Sequence, residues 1–232
     1  MQLDVRDLGQ MGYEAALEVQ RQAHARAVEA GASAPAMTLL LVEHVPPVIT
    51  VSRRPEARAH LTATPEQLAA MGVEVCQTDR GGDITWHGPG QLVAYPIVHL
   101  QGLGLGVHTY IRALEEAAIQ TCAAFGVPAH REASATGVWC GPQGASARKI
   151  CAIGVRVSRW VTMHGLALNV APDMRHWGLI VPCGLVGRPV TSLALERPDA
   201  PPSMAEAKTE LARALQAALT RPSGSAPSSP LR

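Results

Sequence analysis

Cys183 sits in LIVPCGLVGRPVTSL (179–193), between Pro182 and Gly184. That context is a turn, and a rigid turn followed by glycine gives a thiol the exposure that a nucleophile needs. The chain has four other cysteines, Cys76, Cys122, Cys140 and Cys151. Cys76, Cys122 and Cys151 lie among apolar neighbours and read as small buried hydrophobes. There is no CxxC pair and the number is odd, which argues against a disulfide framework. The nine histidines do not cluster with the cysteines at ligand spacing, so no zinc site and no other metal are expected.

A second candidate is Lys149, in ASARKICAIGVRV (145–157). The chain has 18 arginines but only two lysines, Lys149 and Lys208. A lysine kept against that bias does something arginine cannot, because lysine can lose its proton when buried. Lys149 opens an apolar strand. It reads either as a solvated strand end or as a group that stabilises a thiolate and exchanges its own proton.

Two further segments could frame a site. RGGDITWHGPGQ (80–91) holds four glycines and one proline in twelve residues, which lets backbone approach backbone or ligand closely. Trp86 and His87 would give it an aromatic wall and a polar donor. Arg80, Thr85, His87 and Gln91 are costly groups to crowd into a simple turn, so a binding loop is favoured over a tight turn. Neither a P-loop nor a dinucleotide fingerprint is present. VTMHGLALNV (161–170) carries His164 and Gly165 inside an apolar strand; a lone histidine there is more often a satisfied core residue than a catalyst. Gly165 would let another chain segment pass close by.

The elements that must hold these groups alternate between strands and helices. Helical periodicity covers 12–30 and ends at Gly31. Strand-like runs follow at 37–44, 48–50 and 73–79, with a short helix at 64–72 capped by Thr64 and opened by Pro65. Residues 91–100 form a strand, and 107–126 a long amphipathic helix closed by Gly126. GVWC, KICAIGVRVS and VTMHGLALNV are three more strands, and 203–220 is a second strong helix. This is an α/β fold, an α+β mixed sheet with flanking helices. The composition, 47% apolar and 17% charged, is that of a globular chain. Residues 1–221 read as one domain and 222–232 as a disordered tail. No run of about 18 apolar residues is present and the N-terminus has no secretory pattern, so a cytoplasmic protein off the membrane is expected. A net charge of +1 gives no support for nucleic-acid binding.

Taken together and in order, these segments resemble the lipoyl(octanoyl) transferase family. RGGDITWHGPGQ is similar to the family's RGGxxTxHGPGQ loop. KICAIGV, HGLALNV and VPCG match its later motifs, and LVEHVPPVIT (41–50) resembles its first core strand and turn. The resemblance spans roughly residues 3–195. It implies the fold of biotin and lipoate ligase catalytic domains, with a ligase-like core at about 33–221. It also implies transfer of octanoyl from acyl carrier protein to a lysine of lipoyl domains, as in 2-oxo acid dehydrogenases and the glycine cleavage H protein. Cys183 would carry the acyl thioester and Lys149 would tune it. Arg80, Gly81, Gly82, Asp83, Ile84, Thr85, Trp86 and His87 would line the acyl pocket, with Ala152, Ile153, Gly154, Gly165, Leu166 and Ala167. No cofactor is implied, because an acyl thioester is already activated.

Two departures stand out. Ser52 occupies a position where the family has glycine, which bears on the turn at Thr50–Arg54. The stretch CGPQGASAR (140–148) is longer than the family pattern and reads as a mobile loop leading to Lys149. Arg53, Arg54 and Arg58 form a basic cluster suited either to an acidic carrier or to a solvated turn. Backbone amides around Cys183 and Gly184, or His87, are candidates to steady an oxyanion.

Overall fold

The structure, a computed structural model, describes residues 2–220; the expected tail at 222–232 lies outside them. The strands are β1 (Asp4–Met11), β2 (Met37–His44), β3 (Val48–Val51), β4 (Glu74–Gln77), β5 (Ile84–His87), β6 (Gln91–Val98), β7 (Ala129–Glu132), β8 (Ala135–Cys140), β9 (Arg148–Ser158) and β10 (Val161–Asn169). The helices are α1 (Tyr13–Ala30), α2 (Pro65–Ala70), α3 (Val107–Ala124), α4 (Leu193–Glu196) and α5 (Met204–Thr220).

Seven strands form one sheet in the order β1-β2-β6-β10-β9-β8-β7; only the β1–β2 pair is parallel. The two-residue alternation of strand side chains decides what covers each face. Leu39, Leu41, Leu92 and Ala94 point into a core with Tyr110 and Leu114 of α3 and Leu211 and Leu215 of α5. Their neighbours Leu40, Val42, Val93 and Tyr95 point the other way, against Ala23 and Ala27 of α1. With both faces covered, β6 and β10 are buried along their whole length and read as largely apolar runs.

A second sheet, β4-β3-β5, has its own core around Ile49, Ile84, Trp86 and Trp177. Its strand β5 lies inside the glycine-rich segment read from sequence as a loop. The four residues ITWH are extended because they pair antiparallel with β3, Thr85 opposite Thr50 and His87 opposite Val48. The helix at α2 starts as expected: Thr64 Oγ1 accepts from the Gln67 amide at 3.3 Å, and the Gln67 side chain accepts from the Thr64 amide at 2.8 Å.

Two glycines permit close backbone approaches around a cavity. A Cβ on Gly165 would lie 2.2 Å from the Ala94 carbonyl oxygen, so β10 can approach β6 only with glycine there. A Cβ on Gly154 would lie 2.7 Å from the Gly81 carbonyl oxygen, where the Arg80–Gly81 segment crosses β9 and the Gly81 amide donates to Val155 O at 2.9 Å. Ser52 has no left-handed φ, so the turn it occupies does not require glycine. Among the described residues no helix is long and apolar enough to cross a membrane.

Candidate active site

The cavity between the sheets has a volume of about 540 Å³. Lys149 enters it near the start of β9 and is 6% exposed. Its backbone is clamped to the chain that follows Cys183. The Lys149 amide donates to Pro189 O at 2.8 Å, and its carbonyl accepts from the Thr191 amide at 2.9 Å. Arg148 and Glu196 lock the same junction with two 2.8 Å hydrogen bonds. Arg148 holds the Glu196 carboxyl below its ordinary range.

Cys183 lies in a single 3-10 turn, Pro182–Gly184, with φ 57° and ψ 18°. A left-handed conformation costs a non-glycine residue roughly 1–2 kcal/mol. Four non-glycine residues in the described chain adopt positive φ. Arg159 and Trp160 form the β9–β10 hairpin turn; the other two, His164 and Cys183, both line the cavity. Such strain collects where geometry serves a site. The Cys183 Sγ lies 3.1 Å from Lys149 Nζ, which also donates to the Thr136 carbonyl at 3.3 Å. No carboxylate pairs with Lys149 among the described residues. The other lysine, Lys208, makes an ordinary pair with Asp7 at 2.9 Å.

The remaining thiols are set apart by burial. It pushes Cys140 and Cys151 up to about 12, Cys122 well above its ordinary value and Cys76 upward. Thiols in that state are inert at neutral pH.

A network of neutral polar groups lines and backs the wall formed by His87 and Tyr95. Asn169 Nδ2 donates to the Thr191 carbonyl at 2.8 Å, so its Oδ1 accepts from Gln91 Nε2 at 2.9 Å. Gln91 Oε1 must then accept from His87 Nδ1 at 2.7 Å. This chain, anchored on a backbone carbonyl, fixes the proton on Nδ1 and leaves His87 Nε2 bare. His44 is fixed the same way: Nδ1 donates to Met11 O at 3.1 Å, and Nε2 accepts from Tyr95 OH at 2.7 Å. Burial lowers His44 to about 4 and His87 well below its ordinary value, so both are neutral at pH 7. Burial also lowers His164, against the opposing pull of Asp79 at 2.9 Å. Arg80 is the half-buried cation of this wall, held by Thr50 O and Oγ1 at 2.9 Å each.

Of the residues singled out from sequence, Cys183, Lys149, Arg80, Gly81, Gly82, Asp83, Ile84, Thr85, His87, Ala152, Ile153, Gly154, Gly165, Leu166 and Ala167 all line this one cavity. Trp86 does not, and its place as an aromatic wall is corrected. Strand alternation in β5 sends Thr85 and His87 toward the cavity and Trp86 away from it. The Trp86 ring stacks on His176 at 4.9 Å and meets Trp177 at 5.7 Å in the core of the small sheet.

Two oxyanion candidates are also removed. The Gly184 amide is engaged with Val181 O at 3.1 Å, and neutral His87 offers an acceptor to the cavity rather than a donor. Neither His87 nor His164 hydrogen-bonds to Cys183; the imidazole beside its turn is His60, bonded to Asp83 at 2.7 Å. Sequence reasoning missed Tyr13 and Tyr95 as lining residues, although only three tyrosines occur in the chain. It treated His164 as a core residue; it is 2% exposed and lines the cavity as well.

Comparison with known proteins agrees with this geometry. Residues 12–216 match the lipoyl protein ligase A/B catalytic domain family. An octanoyltransferase of Chloroflexus aggregans is 51% identical over 92% of this chain and 93% of its own. The fold is that of a bipartite lipoate protein ligase from an archaeal lipoylation system of Thermoplasma acidophilum (TM-score 0.69, 15% identity, 94% of this chain and 84% of that one). Biotin protein ligase of Aquifex aeolicus shares it more distantly (TM-score 0.55, 12% identity, 93% of this chain and 70% of that one). A thiol and an amine in contact on a ligase-type fold, with half the residues shared with an octanoyltransferase, lead to one assignment: the chain belongs to the lipoyl(octanoyl) transferase family.

Proposed function

We propose that this chain transfers octanoyl from octanoyl-acyl carrier protein to a lysine of lipoyl domains, through a thioester on Cys183. The acceptors are the lipoyl domains of 2-oxo acid dehydrogenases and the glycine cleavage H protein, in the cytoplasm. Residues 1–221 act as one octanoyltransferase domain. The single observation that carries the reading is the 3.1 Å contact between Lys149 Nζ and Cys183 Sγ in the cavity that both residues line.

In the first half-reaction, the ammonium of Lys149 stabilises the Cys183 thiolate. The thiolate attacks the thioester carbonyl, and a new C–S bond forms as the bond to the pantetheine sulfur breaks. The departing thiolate takes a proton from Lys149. In the second half-reaction the acceptor lysine attacks the acyl-Cys183 carbonyl, and the now neutral Lys149 takes the proton that the acceptor sheds. The Cys183 thiolate leaves and the amide is made, with the starting protonation restored. Lys149 is also the cation nearest the sulfur and serves to steady the oxyanion, a role its charge suits in a water-poor site. Exposed Arg53, Arg54 and Arg58 give an acidic carrier a basic surface, and Arg54 itself lines the cavity.

The alternative on this fold, an ATP-dependent ligase, has no use for a thiol at 3.1 Å from an amine. A hydrolase would use an imidazole hydrogen-bonded to the sulfur, and the sulfur's partner is an amine instead. The test is transfer from octanoyl-carrier to an isolated lipoyl domain with ATP omitted. Ping-pong kinetics and an octanoyl-lysine product are expected. Product formed only from free octanoate plus ATP overturns the reading, and free octanoate released faster than transfer supports the hydrolase.

A further inference from the structure

Lys149 is a buried amine with no carboxylate partner, yet the mechanism needs it charged in the resting enzyme. What supports that charge is on the neighbouring strand. Trp139 of β8 lies directly across from Lys149 of β9 in the antiparallel ladder. Lys149 Nζ sits 4.6 Å from the centroid of the Trp139 ring. The ring is 1% exposed, and its own Nε1 donates to Ala135 O at 3.3 Å. An ammonium has three donors. Two are directed at Thr136 O and Cys183 Sγ, and the π face is the remaining partner within reach.

The path of the lysine side chain is kept open by Gly137, two residues earlier on the same strand. A Cβ there would lie 3.3 Å from Lys149 Cε and 3.5 Å from Nζ. The strand is pinned in turn by the buried Glu115 carboxylate, which accepts from the Gly137 amide at 3.2 Å.

We propose that Trp139 is a positioning residue whose ring seats the Lys149 ammonium against Cys183 and favours its charged form over the neutral amine. The physical basis is the ring quadrupole, which attracts a cation strongly when both are out of water and has little to offer a neutral amine. The ring carries a second cation, with Arg188 Cζ 4.3 Å from the centroid, so any test must separate the two. The proposal rests on the pairing of Lys149 with Cys183 but not on the identity of the acyl group.

The experiment is the rate of Cys183 alkylation by iodoacetamide across pH, read by peptide mass so that Cys76 does not interfere. It needs no acyl substrate, so it stands or fails apart from the octanoyl reading. Trp139→Leu is expected to slow alkylation at pH 7 by about thirtyfold, the size of a desolvated cation–π contact. Its profile moves to higher pH and reaches the same plateau as wild type at alkaline pH. Trp139→Phe, which keeps an aromatic face, restores most of the rate. In a Lys149→Met background, Trp139→Leu has no further effect. An unmoved profile overturns the proposal, as does a plateau lowered at every pH, which would mean the ring merely packs. A Trp139→Leu effect that persists without Lys149 also overturns it, because the ring would then act through Arg188.

Discussion

One region of the cavity holds Lys149 and Cys183, a 3.1 Å pair with a strained turn on one side and no carboxylate on the other. Another region holds His87 and Tyr95, backed by His44, each with a fixed proton position set by hydrogen bonds. The first region pairs an amine with a thiol and has no carboxylate partner for the amine among the described residues. The second is satisfied and uncharged. Buried histidines, the usual candidates for acid–base work, are here held neutral, which is why the proposed mechanism gives that part to Lys149. Backbone carbonyls make that division durable. The Met11 carbonyl holds the His44 tautomer, and the Thr191 carbonyl holds that of His87 through Asn169 and Gln91.

The largest expected effect lies at the sulfur. Cys183→Ser lowers transfer from octanoyl-carrier at least about a thousandfold, since a hydroxyl beside an amine is a far weaker nucleophile than a thiolate. A steady-state assay with a lipoyl domain checks it; a loss below tenfold would mean that the acyl group never visits this residue. Lys149→Arg keeps the charge but cannot shed a proton. Transfer falls by about a hundredfold or more, the range of a lost general base. Single-turnover kinetics should place most of the loss in the second half-reaction, with acyl-Cys183 still forming, more slowly, because the departing thiolate must then take its proton from solvent. Full activity in that variant would assign the proton to another group.

The polar region is tested by pH. His44 is lowered from 6.5 to about 4, so its unfolded form binds a proton that the folded form refuses. Its contribution to stability is complete above pH 6.5 and is lost as pH falls through about 4. This removes on the order of 3 kcal/mol between pH 7 and pH 4. Urea unfolding at a series of pH values checks this. His44→Phe should flatten the dependence; an unchanged slope would mean that His44 is protonated in the fold. The smallest effect concerns the anchor. Asn169→Leu removes the acceptor of Gln91 Nε2 and the side-chain donor to the Thr191 carbonyl, and costs about 1–3 kcal/mol. A variant as stable as wild type would show that the tautomer chain is not needed.

Much of the site is legible in the sequence because its signals are local. Pro182-Cys183-Gly184 marks a turn, the scarcity of lysine marks Lys149, and four glycines mark the approach of the 80–91 segment to β9. What is not legible depends on tertiary partners. The four residues of β5 look like loop because glycines bracket them, yet β3 draws them into a sheet and so turns Trp86 outward. Strand β1 escapes notice because charged and exposed residues occupy it; it is the edge partner of β2, with little to bury. Tyr13 and Tyr95 carry no signature of their own, since one opens α1 and the other sits in an apolar strand. The contact between residues 149 and 183 comes from the parallel bridge that ties Lys149 to Val190, which no local pattern encodes.

The central claim is that Cys183 carries the acyl group between two proteins. Intact-mass analysis of the purified chain mixed with octanoyl-carrier alone tests it most directly. The account predicts one octanoyl group per chain, mapped to the Cys183 peptide, discharged on adding a lipoyl domain and absent in Cys183→Ser. An adduct on another residue, or transfer at full rate with no adduct on Cys183, would contradict it.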